Sequence, residues 1–242
     1  NYFEEIYSPS ISGNILVSDA VGVLNFASLS GTEFIKVRFS KSSDYNNDIE
    51  RVFRVYSVTQ RSYTPGNNFE QYLINFCSEE LLLSEQYRIS KGYKGQKISD
   101  IITDIMRTFL QTSKVVAIEQ TNGIHDFVLP NKKIFDTINW LSSYSLPTGN
   151  NQGADMLFFE NREGYIFASL QTLFNQTPLV TYEYSPKKIN LGNNSMSAQL
   201  YNITKFEVLD YFDTLGAVSK GTFGNRLLTI DPLTRTSKTT DF

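Results

Sequence analysis

The chain of 242 residues is long enough for one large domain or two modest ones. Hydrophobic residues make up 40% and charged ones 19%, which excludes wholesale disorder, and 18 Phe with 14 Tyr tilt the composition toward pleated, half-buried β structure. A net charge of -3 gives no basic surface for nucleic acid, and the single cysteine, Cys77, excludes an internal disulfide and fits a reducing compartment or indifference to redox state.

No stretch reaches the roughly 18 uninterrupted apolar residues of a membrane span. Asn1–Tyr7 has neither the basic nor the apolar part of a signal peptide. A start without Met and an end at Thr239-Thr240-Asp241-Phe242 read as a piece of a longer chain.

Taken in chain order, the first ninety residues read as strands. Phe3–Tyr7 and Ile15–Asp19 are predicted strands with a turn at Ser12-Gly13-Asn14 between them. Ile35-Lys36-Val37-Arg38-Phe39 alternates apolar and basic residues with the period of two that puts one strand face in a core. Arg51–Tyr63 is rich in Val, Tyr and Phe and reads as a long strand. Thr64–Asn68 reads as a hairpin loop, and Tyr72, Ile74 and Phe76 alternate with Leu73, Asn75 and Cys77. Short strands at this spacing predict a barrel or sandwich.

The period then changes. Leu81-Leu82-Leu83 behind Ser78-Glu79-Glu80 predicts a short helix, with Ser78 as its cap and two acids near the positive dipole end. Gly92-Tyr93-Lys94-Gly95 lacks the Gly-Lys-Ser/Thr ending of a phosphate loop and reads as a turn. Ile98, Ile101, Ile102, Ile105, Met106 and Phe109 form one apolar helix face, with Asp100 and Asp104 solvated opposite. A second helix follows Pro130, with Asn131 as cap and Ile134, Phe135, Ile138 and Leu141 as its stripe. Strands return at Met156–Glu160 and Tyr165–Ser169 around the turn Asn161-Arg162-Glu163-Gly164. Val180–Tyr184, Ile203–Leu209 and Leu227–Ile230 read as further strands, with a loop at Gly192-Asn193-Asn194-Ser195. The fold class is therefore α+β, mainly β, in the order β, α, β.

Catalytic chemistry has little to stand on. His125 is the only histidine and reads as a solvated or packing residue in a loop, which leaves no two-histidine metal site or mechanism. Cys77 lies in an apolar strand and reads as structural. The adjacent acids Glu4/Glu5 and Glu79/Glu80 are poor glycosidase pairs, because neighbours on a strand face opposite ways and a pair at a helix start serves its dipole. No catalytic, cofactor-binding or metal site is assigned, and no cofactor is expected.

Three stretches together resemble the baseplate hub proteins of contractile-tailed bacteriophages. They are Tyr2–Pro9 running into Ile11–Asp19 with Gly31-Thr32-Glu33; Ile98–Ile102 with Leu129–Asp136; and Leu157–Phe167. The likeness spans residues 2–170 and is weaker afterwards, where Gly221–Asp231 also fits. It implies a tube-like β-barrel domain at 1–90, an α+β middle domain with two helices and a β-hairpin at 91–176, and a β segment at 177–242 forming part of a second barrel. It further implies a homotrimeric ring in the virion's tail baseplate. That ring would join the central spike to the tail tube or its initiator, beside other baseplate proteins, around a lumen that passes DNA without reading its sequence. The family offers no catalytic residues to carry over. A carbohydrate-binding or adhesin module of a phage tail is the alternative, since aromatic-rich β domains serve there, and a cell-wall hydrolase relying on carboxylates is a third.

Overall fold

The computed structural model describes residues 1–27, 29–41, 44–63, 69–149, 155–184, 201–208 and 211–241. The chain divides into two units, Asn1–Gln176 and Thr177–Phe242. The loops expected at Thr64–Asn68 and Gly192–Ser195 lie outside the described residues.

The first unit opens on an antiparallel sheet of β1 (Tyr2–Phe3), β2 (Ser12–Asp19), β3 (Phe34–Lys41), β4 (Asp44–Tyr63) and β5 (Glu70–Cys77), in the order β1-β2-β5-β4-β3. A four-residue helix, α1 (Val23–Phe26), leads from β2 toward β3. The alternation at 35–39 does what its period demands: Ile35 and Val37 pack against the buried Ile11, Phe53 and Phe76. Lys36 lies on the other face and pairs with Glu50 at 2.5 Å. Pairing of β4 with β5 slips between Val55 and Ser57 and again between Thr59 and Ser62, where Gln60 has φ 55°. Such bulges bend a strand and sharpen its twist.

The sheet curls until side chains of its two edge strands touch: the Tyr2 ring of β1 stands 5.4 Å from that of Phe39 of β3 and 6.0 Å from that of Phe53. The barrel read from the sequence takes the form of a curled half-barrel, with no described hydrogen-bonded pairing between β1 and β3. Ser12-Gly13-Asn14 is strand, not turn; the chain turns at Ile6–Tyr7 instead. Gly13 is required for close packing, because a Cβ there would stand 2.4 Å from Phe76 Cζ and 2.5 Å from the Asn1 carbonyl oxygen.

The chain then builds an α/β layer. Its helices are α2 (Glu79–Gln86), α3 (Ile98–Ile105), α4 (Ile134–Ser142) and α5 (Leu170–Phe174). Its strands are β6 (Arg88–Ile89), β7 (Gly92–Gln96), β8 (Val115–Ile118), β9 (Thr121–Asn122), β10 (His125–Val128), β11 (Lys132–Lys133), β12 (Leu146–Pro147), β13 (Met156–Glu160) and β14 (Gly164–Ser169). β6 pairs with β11, β7 with β10 and β9 with β12; β13, β14 and β8 make a three-stranded sheet in that order, with β8 parallel to β14. Ile98, Ile101, Ile102 and Ile105 are fully buried, each contributing about 1.5–3 kcal/mol relative to exposure. They pack with Ile134, Ile138, Leu141, Phe158, Tyr165 and Phe167 in one core. Past Ile105 the helix widens into a π turn, Met106–Leu110, closed by the Gln111 N–H on the Met106 carbonyl at 3.0 Å. Leu110 is therefore buried while Phe109 is half-buried.

Several local expectations are corrected. Ser78 holds the cap position of α2, but its hydroxyl makes no cap bond and is buried without a partner among the described residues. Asn131, at φ 52°, is two residues short of the cap position of α4, Lys133, and the helix's Phe135 N–H donates instead to Ser84 Oγ at 2.9 Å. Asp104 is not merely solvated: it binds Lys91 Nζ at 2.7 Å, Tyr93 OH at 2.6 Å and Thr108 Oγ1 at 3.0 Å. Gly92–Gly95 forms strand β7, and His125 begins strand β10. The Asn161–Gly164 turn stands as read. Its Gly164 has φ 149° and passes so close to β8 that a Cβ would fall 2.1 Å from the Val115 carbonyl oxygen.

The second unit holds a parallel bridge of β15 (Glu183–Tyr184) and β16 (Asn202–Ile203), a helix α6 (Thr214–Ser219) and a hairpin of β17 (Arg226–Asp231) and β18 (Thr236–Asp241). The strand expected at Leu227–Ile230 is present, those expected over Val180–Tyr184 and Ile203–Leu209 shrink to two residues each, and Leu209 lies outside the described residues. The Asp213 carboxylate caps α6 by accepting from the Gly216 N–H at 2.8 Å. None of the described residues of this unit is buried.

Candidate functional site: an ionic joint and open strand edges

The residues weighed for chemistry in the sequence are not brought together into one group among the described residues. His125 is half-buried, with its ring 5.6 Å from that of Phe127. Cys77 is buried at the end of β5, and burial, with the Glu160 charge adding, pushes its thiol up to about 11, away from nucleophilic reactivity. Glu4 accepts from Tyr2 OH and from the Arg162 N–H, while Glu79 faces Arg54 at 3.6 Å. Among the described residues, no three His, Cys, Asp or Glu side chains are grouped to hold a metal ion. No described helix is long and apolar enough to cross a membrane.

The densest electrostatic feature is a buried joint between the curled sheet and the α/β layer. Glu160, at the end of β13, is fully buried and accepts from the Ile11 N–H at 3.0 Å and from Lys114 Nζ at 2.6 Å. Arg51 of β4 stands 3.6 Å away and also donates to the Asn161 carbonyl at 3.2 Å. Lys114 Nζ reaches Glu80 of α2 at 2.5 Å, and Glu80 also accepts from Thr112 Oγ1 at 2.6 Å. Burial works to raise the Glu80 carboxyl, but the bond and charge of Lys114, with Thr112, outweigh it and hold the group below its usual range. Burial, with the charges of Glu160 and Glu80, drives the Tyr165 phenol far upward.

Two carboxylates sharing one ammonium invite comparison with a hydrolytic pair, yet a fully buried Glu160 offers a substrate no approach. The arrangement instead fixes the sheet on the layer beneath it, since each charge is stranded if the other moves. In the sequence Glu80 reads as a helix-dipole acid and as half of a poor glycosidase pair. Glu160 was legible as the one charged residue closing an otherwise apolar strand.

The second feature is open edge. β4 outruns β3: register ends at Phe34 opposite Arg54, and the Val55 N–H reaches the Glu33 carbonyl, so beyond that point β5 is the only described strand paired with β4. Tyr56 and Tyr63 are exposed along that stretch. The arginines there do not simply solvate an edge. Arg51 points into the joint, Arg54 donates to the Thr32 carbonyl and covers the Phe34 ring at 4.3 Å, and Arg61 grips Glu70 through two 3.0 Å bonds. Unpaired edge of this kind invites pairing with another chain.

No family model matches the chain. It is 26% identical over 221 residues to a probable baseplate hub protein of Vibrio phage KVP40, covering 89% of this chain and 51% of that protein. The chain thus spans about half the length of the curated relative it matches. Solved structures with a similar course include the 43 kDa tail protein of prophage MuSo2 from Shewanella oneidensis, with TM-score 0.47 and 7% identity over 76% of this chain and 51% of that one. A tail protein from Neisseria meningitidis MC58 gives 0.45 and 10% over 75% and 48%. An E. coli component of the type VI secretion system gives 0.45 and 12% over 67% and 43%. In sequence, then, the chain is similar along most of its length to a phage baseplate hub protein, as the three stretches at 2–170 led one to expect.

Proposed function

We propose that this chain is a structural component of a contractile phage tail, acting in the baseplate hub without catalysis. The observation that carries the reading is the similarity to a probable baseplate hub protein over 89% of the chain. The curled half-barrel with unpaired edge, held on the α/β layer by a buried ionic joint, supports it. In this reading residues 1–90 form a tube-like barrel completed by neighbours, 91–176 form the middle domain, and 177–242 begin a second barrel. The exposed β17–β18 hairpin fits that last assignment, because an isolated two-stranded hairpin is at best marginally stable in water. Three copies make a ring between the central spike and the tail tube, around a passage for DNA.

A carbohydrate-binding role draws less support. Trp140, the best stacking ring, is engaged edge to face by Phe127 at 5.5 Å and Tyr144 at 5.4 Å, with the Lys132 ammonium 5.5 Å from its centre. Quantitative mass spectrometry of purified tails tests the proposal: the chain should appear in fixed proportion to the spike and tube proteins. Tails that assemble fully without it would overturn the reading.

A further inference from the structure

β8 is the terminal strand of its sheet, with β14 on one side and no described strand on the other. The parallel register sets Val116 opposite Tyr165 and Ile118 opposite Phe167. The Glu119 N–H donates to the Phe167 carbonyl at 2.8 Å, so alternation turns the backbone groups of Ala117 toward β14 and those of Val116 and Ile118 away from it. The free stretch is short, since at Gln120 the carbonyl already accepts from the Thr148 N–H and hydroxyl. Val115 is 68% exposed at its start.

Beside this edge lies a cavity of about 220 Å³ lined by Thr103, Met106, Arg107, Thr112, Val116, Ile118 and Gln120. The π turn forms one wall, and π turns recur where a helix has been locally widened for a function. Met106, Val116 and Ile118 make its apolar floor. Arg107 is exposed and has no acidic partner or hydrogen bond among the described residues. An apolar floor, a free guanidinium and outward-facing strand amides are what an added strand uses: main-chain bonds for affinity, alternate side chains for specificity.

We infer that the β8 edge receives an extended segment of a neighbouring tail protein, which adds as a further strand. It places an apolar side chain on Met106, Val116 and Ile118 and an Asp or Glu carboxylate on Arg107. Charge selects the occupant: a lone cation beside a neutral polar wall favours an acidic segment and rejects a basic one. The inference rests on the proposed place of this chain in a tail and names a contact within it.

Residue-resolved amide exchange of the full-length protein, alone and in purified tails, tests it. In the isolated protein the Val116 and Ile118 amides exchange freely while Ala117 is protected; in tails both slow by about 100-fold or more. An Arg107→Glu variant should keep its melting temperature yet enter tails about tenfold less well, with Arg107→Lys restoring most of the loss. Protection of Val116 and Ile118 already in the isolated protein would overturn the inference, because the chain's own residues would then cover the edge. So would tails containing the protein with both amides still free, or an Arg107→Glu variant that assembles normally. Absence of the protein from tails would overturn the functional reading itself and take this partner with it.

Discussion

Tyr2 and Phe39 stand 5.4 Å apart, ring edge to ring face, although three strands separate β1 from β3 in the sheet. That contact links the two edge strands of the half-barrel. Aromatic pairs of this geometry are worth about 0.5–1.5 kcal/mol beyond their buried area. A double-mutant cycle with Tyr2→Leu and Phe39→Leu should return a coupling energy in that range by urea titration. Strictly additive losses would show that the edges do not meet.

The ionic joint predicts a large effect from one truncation. Lys114→Met leaves Glu160 and Glu80 buried with their shared cation gone and should cost about 3–5 kcal/mol, as breaking a buried pair does. Replacing Lys36, whose pair with Glu50 is exposed, should cost no more than about 1 kcal/mol. Chemical denaturation of the two variants separates a structural joint from surface decoration.

Stability should depend on pH at both extremes. Glu80 is held below its ordinary 4.5 by Lys114 and Thr112 against the pull of burial, and Asp104 below 3.8 by Lys91 and Tyr93. The unfolded chain therefore takes up protons first, so this stability is complete above pH 4.5 and drains away as pH falls through the folded values. Tyr165 and Tyr93 are raised above 10.0, chiefly by burial, with neighbouring carboxylates adding. There the unfolded chain loses protons first, and stability falls as pH climbs past 10.0. Unfolding free energies measured across pH should show a plateau between the two declines; a rise on acidification would contradict it.

Helix α3 offers an internal comparison. Ile105→Ala should cost about 2–5 kcal/mol, as large-to-small core changes do. Asp104→Ala should cost about 1–2 kcal/mol, because it removes the acceptor for Lys91 and Tyr93. Denaturant titration should rank them in that order with both losses measurable; an Asp104→Ala variant as stable as the parent would restore the picture of a merely solvated face.

What was legible in the sequence is what depends on local period. The stripe from Ile98 to Met106, the alternation at 35–39 and the Asn161–Gly164 turn each follow from rules spanning a few residues. What was not legible depends on distant partners. Glu160 meets the Ile11 N–H across 149 residues, which no spacing rule announces. Val115–Ile118 is a short apolar run that becomes a strand only because β14 lies beside it. Gly92 and Gly95 bracket what reads as a turn, yet Tyr93 is drawn into the core opposite Phe127 and the segment extends. Asp104 looked solvated because Lys91 and Tyr93 reach it from another element.

The central claim is that the unpaired stretch of β4 beyond Arg54 is closed by a neighbouring subunit. Cryo-electron microscopy of the full-length protein, assembled with the spike protein proposed as its partner, tests it most directly. Three copies should form a ring, with the stretch of β4 beyond Arg54 at a subunit boundary and paired to another chain. A monomer on the spike, with the stretch of β4 beyond Arg54 left unpaired in solvent, would contradict the account.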